Sequence, residues 1–153
     1  MNQARPPGWL PEEEFHAIYR RVPRLCVEVM MLDAEQRVLL MLRDIPPNIG
    51  AWHIPGGTVL FGESLADAVR RVAQDELGLS VVPGELLGYI EYPSHYRSGL
   101  DSPVGLAFRV EPDGIPASEV KLPAGGQWFG RLPRGLYAEQ REFLTQRLGF
   151  DSD

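Results

Sequence analysis

Two neighbouring carboxylates, Asp75 and Glu76, sit near the end of a helical run where they could do chemistry. Take 100° per residue and set Leu65 at zero: Ala68, Val69, Val72, Ala73 and Leu77 then fall in an arc from about −60° to +120°, an apolar stripe. Asp67, Arg70, Arg71 and Gln74 fall outside it, as a solvated face should. Glu76 falls near +20°, inside the stripe, and Asp75 at about −80°, on its edge. A carboxylate directed inward is costly unless it is paired or holds a cation. The pattern leaves two readings open: an ion pair with Arg71 or Arg43, and a metal or catalytic site. Upstream, Gly56-Gly57 ends a strand, and Thr58 to Gly62 turns back to Glu63 and the helix. Such a turn brings bare carbonyl oxygens near the carboxylates, the donor set of a hard cation. A Gly-Gly pair alone is more often a plain turn.

Other reactive side chains are few. His95 lies in the polar loop EYPSHYRSG with Tyr92 and Tyr96, in the kind of segment where functional residues concentrate. Either tyrosine could stack on a nucleobase, although a loop tyrosine is more often half-buried surface. His53, between Trp52 and Ile54, could face the site but reads first as a sheet histidine satisfied by its neighbours, and His16 reads as surface. The single cysteine, Cys26, excludes an internal disulfide and a multi-cysteine zinc site, and its apolar run marks it as a small core residue.

These residues belong to a chain of 153, the length of about one domain. Lys+Arg 15 against Asp+Glu 21 gives a net charge of −6, which argues against a partner held by its phosphate backbone and so against nucleic acid. An anionic substrate must then be met by a few placed cations or by metal. No run approaches the ~20 apolar residues of a membrane span, and Glu12, Glu13 and Glu14 stand where a signal peptide would be apolar. The expectation is a cytoplasmic protein with no membrane partner.

The elements that must hold the candidates follow from the pattern. Residues 1–10 read as a loosely ordered segment and 11–150 as one domain. A helix starts at Pro11, with the acid trio in its first turn and Phe15, Ile18, Tyr19 and Val22 on one side. Strands are expected at 25–32 and 37–42, joined by Asp33 to Gln36 as a hairpin, and at 52–54. Ser64 to Leu77 is the clearest helix, with Ser64 as N-cap, Asp67 as its capping-box acid and Gly78 as the C-terminal stop. Further strands fit within 79–91, at 104–110 and at 127–132, and a last helix fits 137–148. Strands around one central helix, with helices at both ends, imply an α/β sandwich with a mixed sheet.

Gly57, five residues, Glu63, seven residues, Arg71 and then VAQDELGL resembles the Nudix box, G-x5-E-x7-R-E-U-x-E-E-x-G-U with U aliphatic. Gly57, Glu63, Arg71, Glu76, Gly78 and Leu79 agree, Ala73 is small and apolar at a U position, and Asp75 is a conservative change. Val72 stands where the box has its first helical glutamate. The resemblance implies a Nudix-type α/β/α sandwich with a mixed β-sheet. It also implies hydrolysis of a small-molecule nucleoside diphosphate derivative, with Mg²⁺ as cofactor and Mn²⁺ as the alternative. Carried over, Asp75 and Glu76 are metal ligands, the Gly57 carbonyl completes the site, and Glu63 and Arg71 form the ion pair that ties the loop to the helix.

A wider resemblance, through PEEEF at 11–15, RVLL at 37–40, Arg43 and GAWHIPGG at 50–57, is to the GDP-mannose hydrolase branch. That branch also lacks the first helical glutamate, and Arg43 matches its substrate-contacting arginine. The arginine after its double glycine is Thr58 here. Its late Gln-His pair, metal ligand and general base, is matched only by Gln127 followed by Trp128, so His95 becomes the stand-in for the base. The implied reaction is attack of water at the anomeric carbon of a nucleotide sugar, releasing free sugar and intact nucleoside diphosphate. The rivals are a pyrophosphohydrolase attacking phosphorus and a non-catalytic Nudix-fold binding module, the latter suggested by Val72. A homodimer is compatible with either.

Overall fold

The computed structural model describes residues 5–46 and 48–153. The chain runs α1 (Glu12–Tyr19), β1 (Arg24–Met31), β2 (Val38–Leu42), β3 (Trp52–His53), β4 (Gly56–Thr58), α2 (Leu65–Leu77), β5 (Val81–Glu91), α3 (Pro93–Arg97) and β6 (Pro103–Pro112). After a 3₁₀ turn at Ala117–Glu119 come β7 (Gly126–Phe129), β8 (Arg131–Leu132), α4 (Ala138–Leu148) and β9 (Asp151–Ser152). Residues 1–4 of the segment expected to be loose lie outside the described residues.

One sheet has the order β4-β1-β6-β5 and a second the order β3-β2-β7. The β1–β6 pairing is parallel and the others in these two sheets are antiparallel, so the main sheet is mixed. β1 is covered on both faces, and its alternate residues serve two layers. Val27, Val29 and Met31 pack with Leu39 and Met41 against the α2 stripe Ala68, Val69, Val72, Ala73 and Leu77. Met30 packs on the other side with Val38, Leu40 and Ile90 against Phe143 and Leu144 of α4. The result is an α/β fold with helices on both sides of the strands.

α2 begins and ends on its expected caps. The Ser64 hydroxyl accepts a hydrogen bond from Asp67 N at 3.1 Å, and Gly78 takes the left-handed conformation with φ 66°. The expected 33–36 hairpin is different. Its turn forms: Asp33 Oδ1 accepts from the amides of Glu35 and Arg37 at 3.0 and 2.8 Å, and Oδ2 accepts from Arg37 Nε at 2.7 Å. Beyond the single bridge Leu32–Val38, however, the strands part into different sheets. Both edges of β1 are already taken, by β4 and β6, so β2 must leave.

The 91–99 segment, expected as a loop, contains the short helix α3. Pro93 fits its first turn, and Glu139 of α4 accepts from both the Ser94 amide and hydroxyl at 2.9 Å. The expected strand at 127–132 is interrupted at Gly130, and its second piece pairs with β9. No helix of the described residues is long and apolar enough to cross a membrane.

Candidate active site

Between α1, the start of β1, the end of α2 and α3 lies a cavity of about 720 Å³. Phe15 and Tyr19 of α1 and Arg20 just after it edge it, and Arg24, Cys26 and Glu28 of β1, Arg43, His53, Gly57, Glu76, His95 and Gln140 line it. A volume of this size suits a ligand as large as a nucleotide.

The loop before α2 is clamped to it. Arg71 Nε and Nη2 donate to the two oxygens of Glu63 at 2.7 and 2.9 Å, and Nη2 also donates to the Thr58 carbonyl at 2.7 Å. Leu60 N donates to Glu63 Oε1 at 3.1 Å, so one carboxylate organises the turn from both sides. The paired guanidinium, first by its hydrogen bond, holds the Glu63 carboxyl below its ordinary range. Val72 is 2% exposed within the α2 core, and a Cβ on Gly57 would come 2.9 Å from its Cγ2. Position 72 therefore faces the core beneath the loop and gives the cavity no carboxylate.

Glu76 is surface-accessible and lines the cavity beyond the buried stripe. Its angular position inside the stripe carried it to the cavity wall because the helix ends there. Desolvation at that wall, then the negative charge of Asp75, raises its pKa, while Arg43 opposes the rise. The Asp75 side chain is 65% exposed, with Arg71 Nη1 at 3.6 Å from Oδ2. Arg71 and Arg43 are the two ion-pair partners that the sequence allows for Glu76. The guanidinium of Arg71 is occupied by Glu63, and Arg43, which donates to the Pro46 carbonyl at 3.0 Å, reaches Glu76 by its charge.

The most buried acid at the cavity was not singled out from sequence. Glu28 is 5% exposed and lies in a cradle of two glycines: a Cβ on Gly56 would sit 2.5 Å from Oε2, and one on Gly105 would overlap Oε1. Tyr92 donates its hydroxyl to Glu28 Oε1 at 2.6 Å, Gln140 Nε2 donates to that hydroxyl at 2.9 Å, and Ile54 N donates to Gln140 Oε1 at 2.7 Å. Burial, against the Tyr92 hydrogen bond and the charge of Arg24, pushes the Glu28 carboxyl up to about 7. The available signal was position: in a strand covered on both faces, residue 28 must also point inward.

The remaining candidates divide. His95 lines the cavity on α3, with its Nδ1 3.5 Å from Asp101 Oδ1 and its ring centroid 5.1 Å from that of Tyr92. His53 lines it too, its Nδ1 engaged by the Ile54 carbonyl at 3.0 Å. Tyr92 is buried in the Glu28 network and unavailable for stacking, while Tyr96 is exposed and does not line the cavity. Gln127 is exposed on β7 and is not brought to the cavity either. Cys26 is buried as expected, and desolvation pushes its thiol up to about 12.

The NUDIX domain model matches residues 22–132. The chain is 40% identical over 113 residues to the low-salt glycan biosynthesis protein Agl8 of Haloferax volcanii, covering 72% of each chain. It is 30% identical over 130 residues to an RNA pyrophosphohydrolase of Erythrobacter litoralis, covering 85% of this chain and 65% of that one. The fold is similar to that of the MutT protein from Methanosarcina mazei, with TM-score 0.65 at 24% identity over 81% of this chain and 91% of that one. The match across the strands, the clamped loop and α2 places this chain in the Nudix family, as a hydrolase of nucleoside diphosphate derivatives.

Proposed function

We propose that the substrate is a nucleotide sugar, GDP-mannose-like, and that water attacks the anomeric carbon to release free sugar and intact nucleoside diphosphate. The observation that carries this reading is the burial of Val72 beneath Gly57. The box is left with Asp75 and Glu76, a smaller carboxylate set than is needed to hold several cations and activate water at phosphorus. Making the diphosphate a better leaving group is a lighter task, which one divalent cation can perform.

Oxygen donors for such a cation stand at the cavity in Glu76 and Gly57, with Asp75 beside Glu76 on α2 but outside the lining. Two adjacent carboxylates, one with its pKa raised at the cavity wall, repel each other in a way that a dication relieves. Among the described residues no three His, Cys, Asp or Glu side chains converge as a metal site. Glu76, Asp75 and the Gly57 carbonyl would therefore leave most positions to water and substrate, which suits Mg²⁺ and admits Mn²⁺. When bound, the cation would neutralise the diphosphate. Arg43 would steady the same group. His95 would take the proton of the attacking water, and Glu28, with Gln140 behind it, would accept hydrogen bonds from sugar hydroxyls. The name of the Haloferax volcanii relative, a glycan biosynthesis protein, agrees with a sugar substrate. A cytoplasmic location would fit a nucleotide-sugar substrate.

The test is hydrolysis of GDP-mannose in ¹⁸O-labelled water, within a screen of nucleotide sugars and dinucleotides with Mg²⁺ and Mn²⁺. Label in the sugar, with activity lost in EDTA and restored by Mg²⁺, supports the reading. Label in the phosphate product would favour the pyrophosphohydrolase that the Erythrobacter litoralis relative's name describes. No turnover of any compound would favour a binding module.

A further inference from the structure

A half-buried polar chain joins the clamped loop to His95. Arg24, at the start of β1, donates through Nη1 to the Thr58 hydroxyl at 2.9 Å and to Cys26 Sγ at 3.0 Å, and through Nε to Asp101 Oδ2 at 2.7 Å. The other oxygen of Asp101 faces His95 Nδ1 at 3.5 Å. Arg24 and Asp101 are each 18% exposed, so their pairing is only weakly screened. Thr58 also takes Arg71 on its carbonyl, so the Glu63–Arg71 clamp and His95 hang on one residue from opposite sides. Thr58 is the position where the GDP-mannose branch carries an arginine, and here a guanidinium arrives beside it from β1.

We propose that Asp101 and Arg24 are positioning residues for His95: Asp101 accepts from Nδ1–H, and Arg24 anchors Asp101 to the metal-binding loop. This rests on the reading of His95 as the base. An acceptor at Nδ1 fixes the tautomer in which Nε2 carries the lone pair, and among the described residues no hydrogen bond engages Nε2. That nitrogen is then the one able to take a proton from water. Arg24 is part of the device because it is a donor only. It demands an acceptor at one end of residue 101, which dictates what the other end can offer to His95. Glu139 also faces His95, but its carboxylate is held by Ser94 at 2.9 Å through both oxygens.

Asp101→Asn makes a sharp test. The amide oxygen must turn to Arg24, so the NH₂ turns to His95 and forces Nδ1 to become the acceptor, with the proton on Nε2. The His95 tautomer is read by ¹⁵N NMR of the side chain, and turnover is measured with GDP-mannose and Mg²⁺. The expected result is an Nδ1–H ring in the wild type, an Nε2–H ring in Asp101→Asn, and a fall in kcat of about 100-fold or more with little change in KM. Adding Arg24→Gln to Asp101→Asn frees residue 101 to turn, and the Nδ1–H form should return. The same tautomer in wild type and Asp101→Asn, with turnover lost in His95→Ala, would overturn the inference alone. Unchanged turnover in His95→Ala would overturn the base assignment and the inference with it.

Discussion

Glu28 occupies the least favourable setting of any carboxylate at the cavity, and its chemistry can be read in solution. Its carboxyl titrates at about 7 in the fold, against an ordinary value of 4.5. Between these values the folded chain holds a proton that the unfolded chain has released. Its contribution to stability is therefore fully present below about pH 4.5 and is lost as pH rises through about 7, by about 3 kcal/mol in all. Glu28→Gln keeps an acceptor for the Tyr92 hydroxyl and has no proton to lose. The stability difference between wild type and this variant, followed by urea unfolding from pH 4 to 8, should shift across that window in favour of the variant. A constant difference would mean that Glu28 does not titrate in the fold. Sequence reading passed over this residue because one acid in the apolar run LCVEVMML reads as tolerance. It located Glu76 because a helical angle can be computed from sequence, whereas the glycine cradle from β4 and β6 exists only in three dimensions.

Elements whose signals are local were the legible ones. α2 carries its own N-cap, its own stripe and its own glycine stop, and it formed where these predicted. The divergence of β1 and β2 depends on distant strands competing for the edges of β1, and no short-range pattern encodes it. The same contrast explains α3, a turn whose helicity is secured by Glu139 from another helix. Glu63 and Arg71 were readable as a pair from the box spacing, and the bidentate contact was formed. Gln127 was placed by motif order alone, and β7 carries it elsewhere. The seating of Gly57 on Val72 gives a direct test of how loop and helix are joined. Gly57→Ala should cost about 1–3 kcal/mol by overpacking. In a Val72→Ala background the added methyl meets open space, so the double variant should cost less than the sum of the singles. Additive costs in urea unfolding would show that the two positions do not touch.

At the scale of the whole molecule, the net charge of −6 would repel an anionic substrate, and the cavity sets Arg20, Arg24 and Arg43 beside the acids Glu28, Asp44, Glu76 and Asp101. Attraction of an anion there would rest on where the individual arginines stand, with Arg24 already paired to Asp101, and not on a positive net field. α1 sits at the edge of this cavity, and its construction bears on the timing of the catalytic cycle. None of its residues is buried; its edge-on Phe15–Tyr19 ring pair is internal to the helix, and Arg24 stands 5.5 Å over Phe15 from β1. Lifting such a helix would expose little apolar surface, so its opening should cost little. Products should then leave faster than bonds are broken, so that the chemical step sets the pace of turnover. In buffers thickened with sucrose, kcat should be nearly independent of viscosity; a decline in proportion to viscosity would instead mark release past α1 as the slow event.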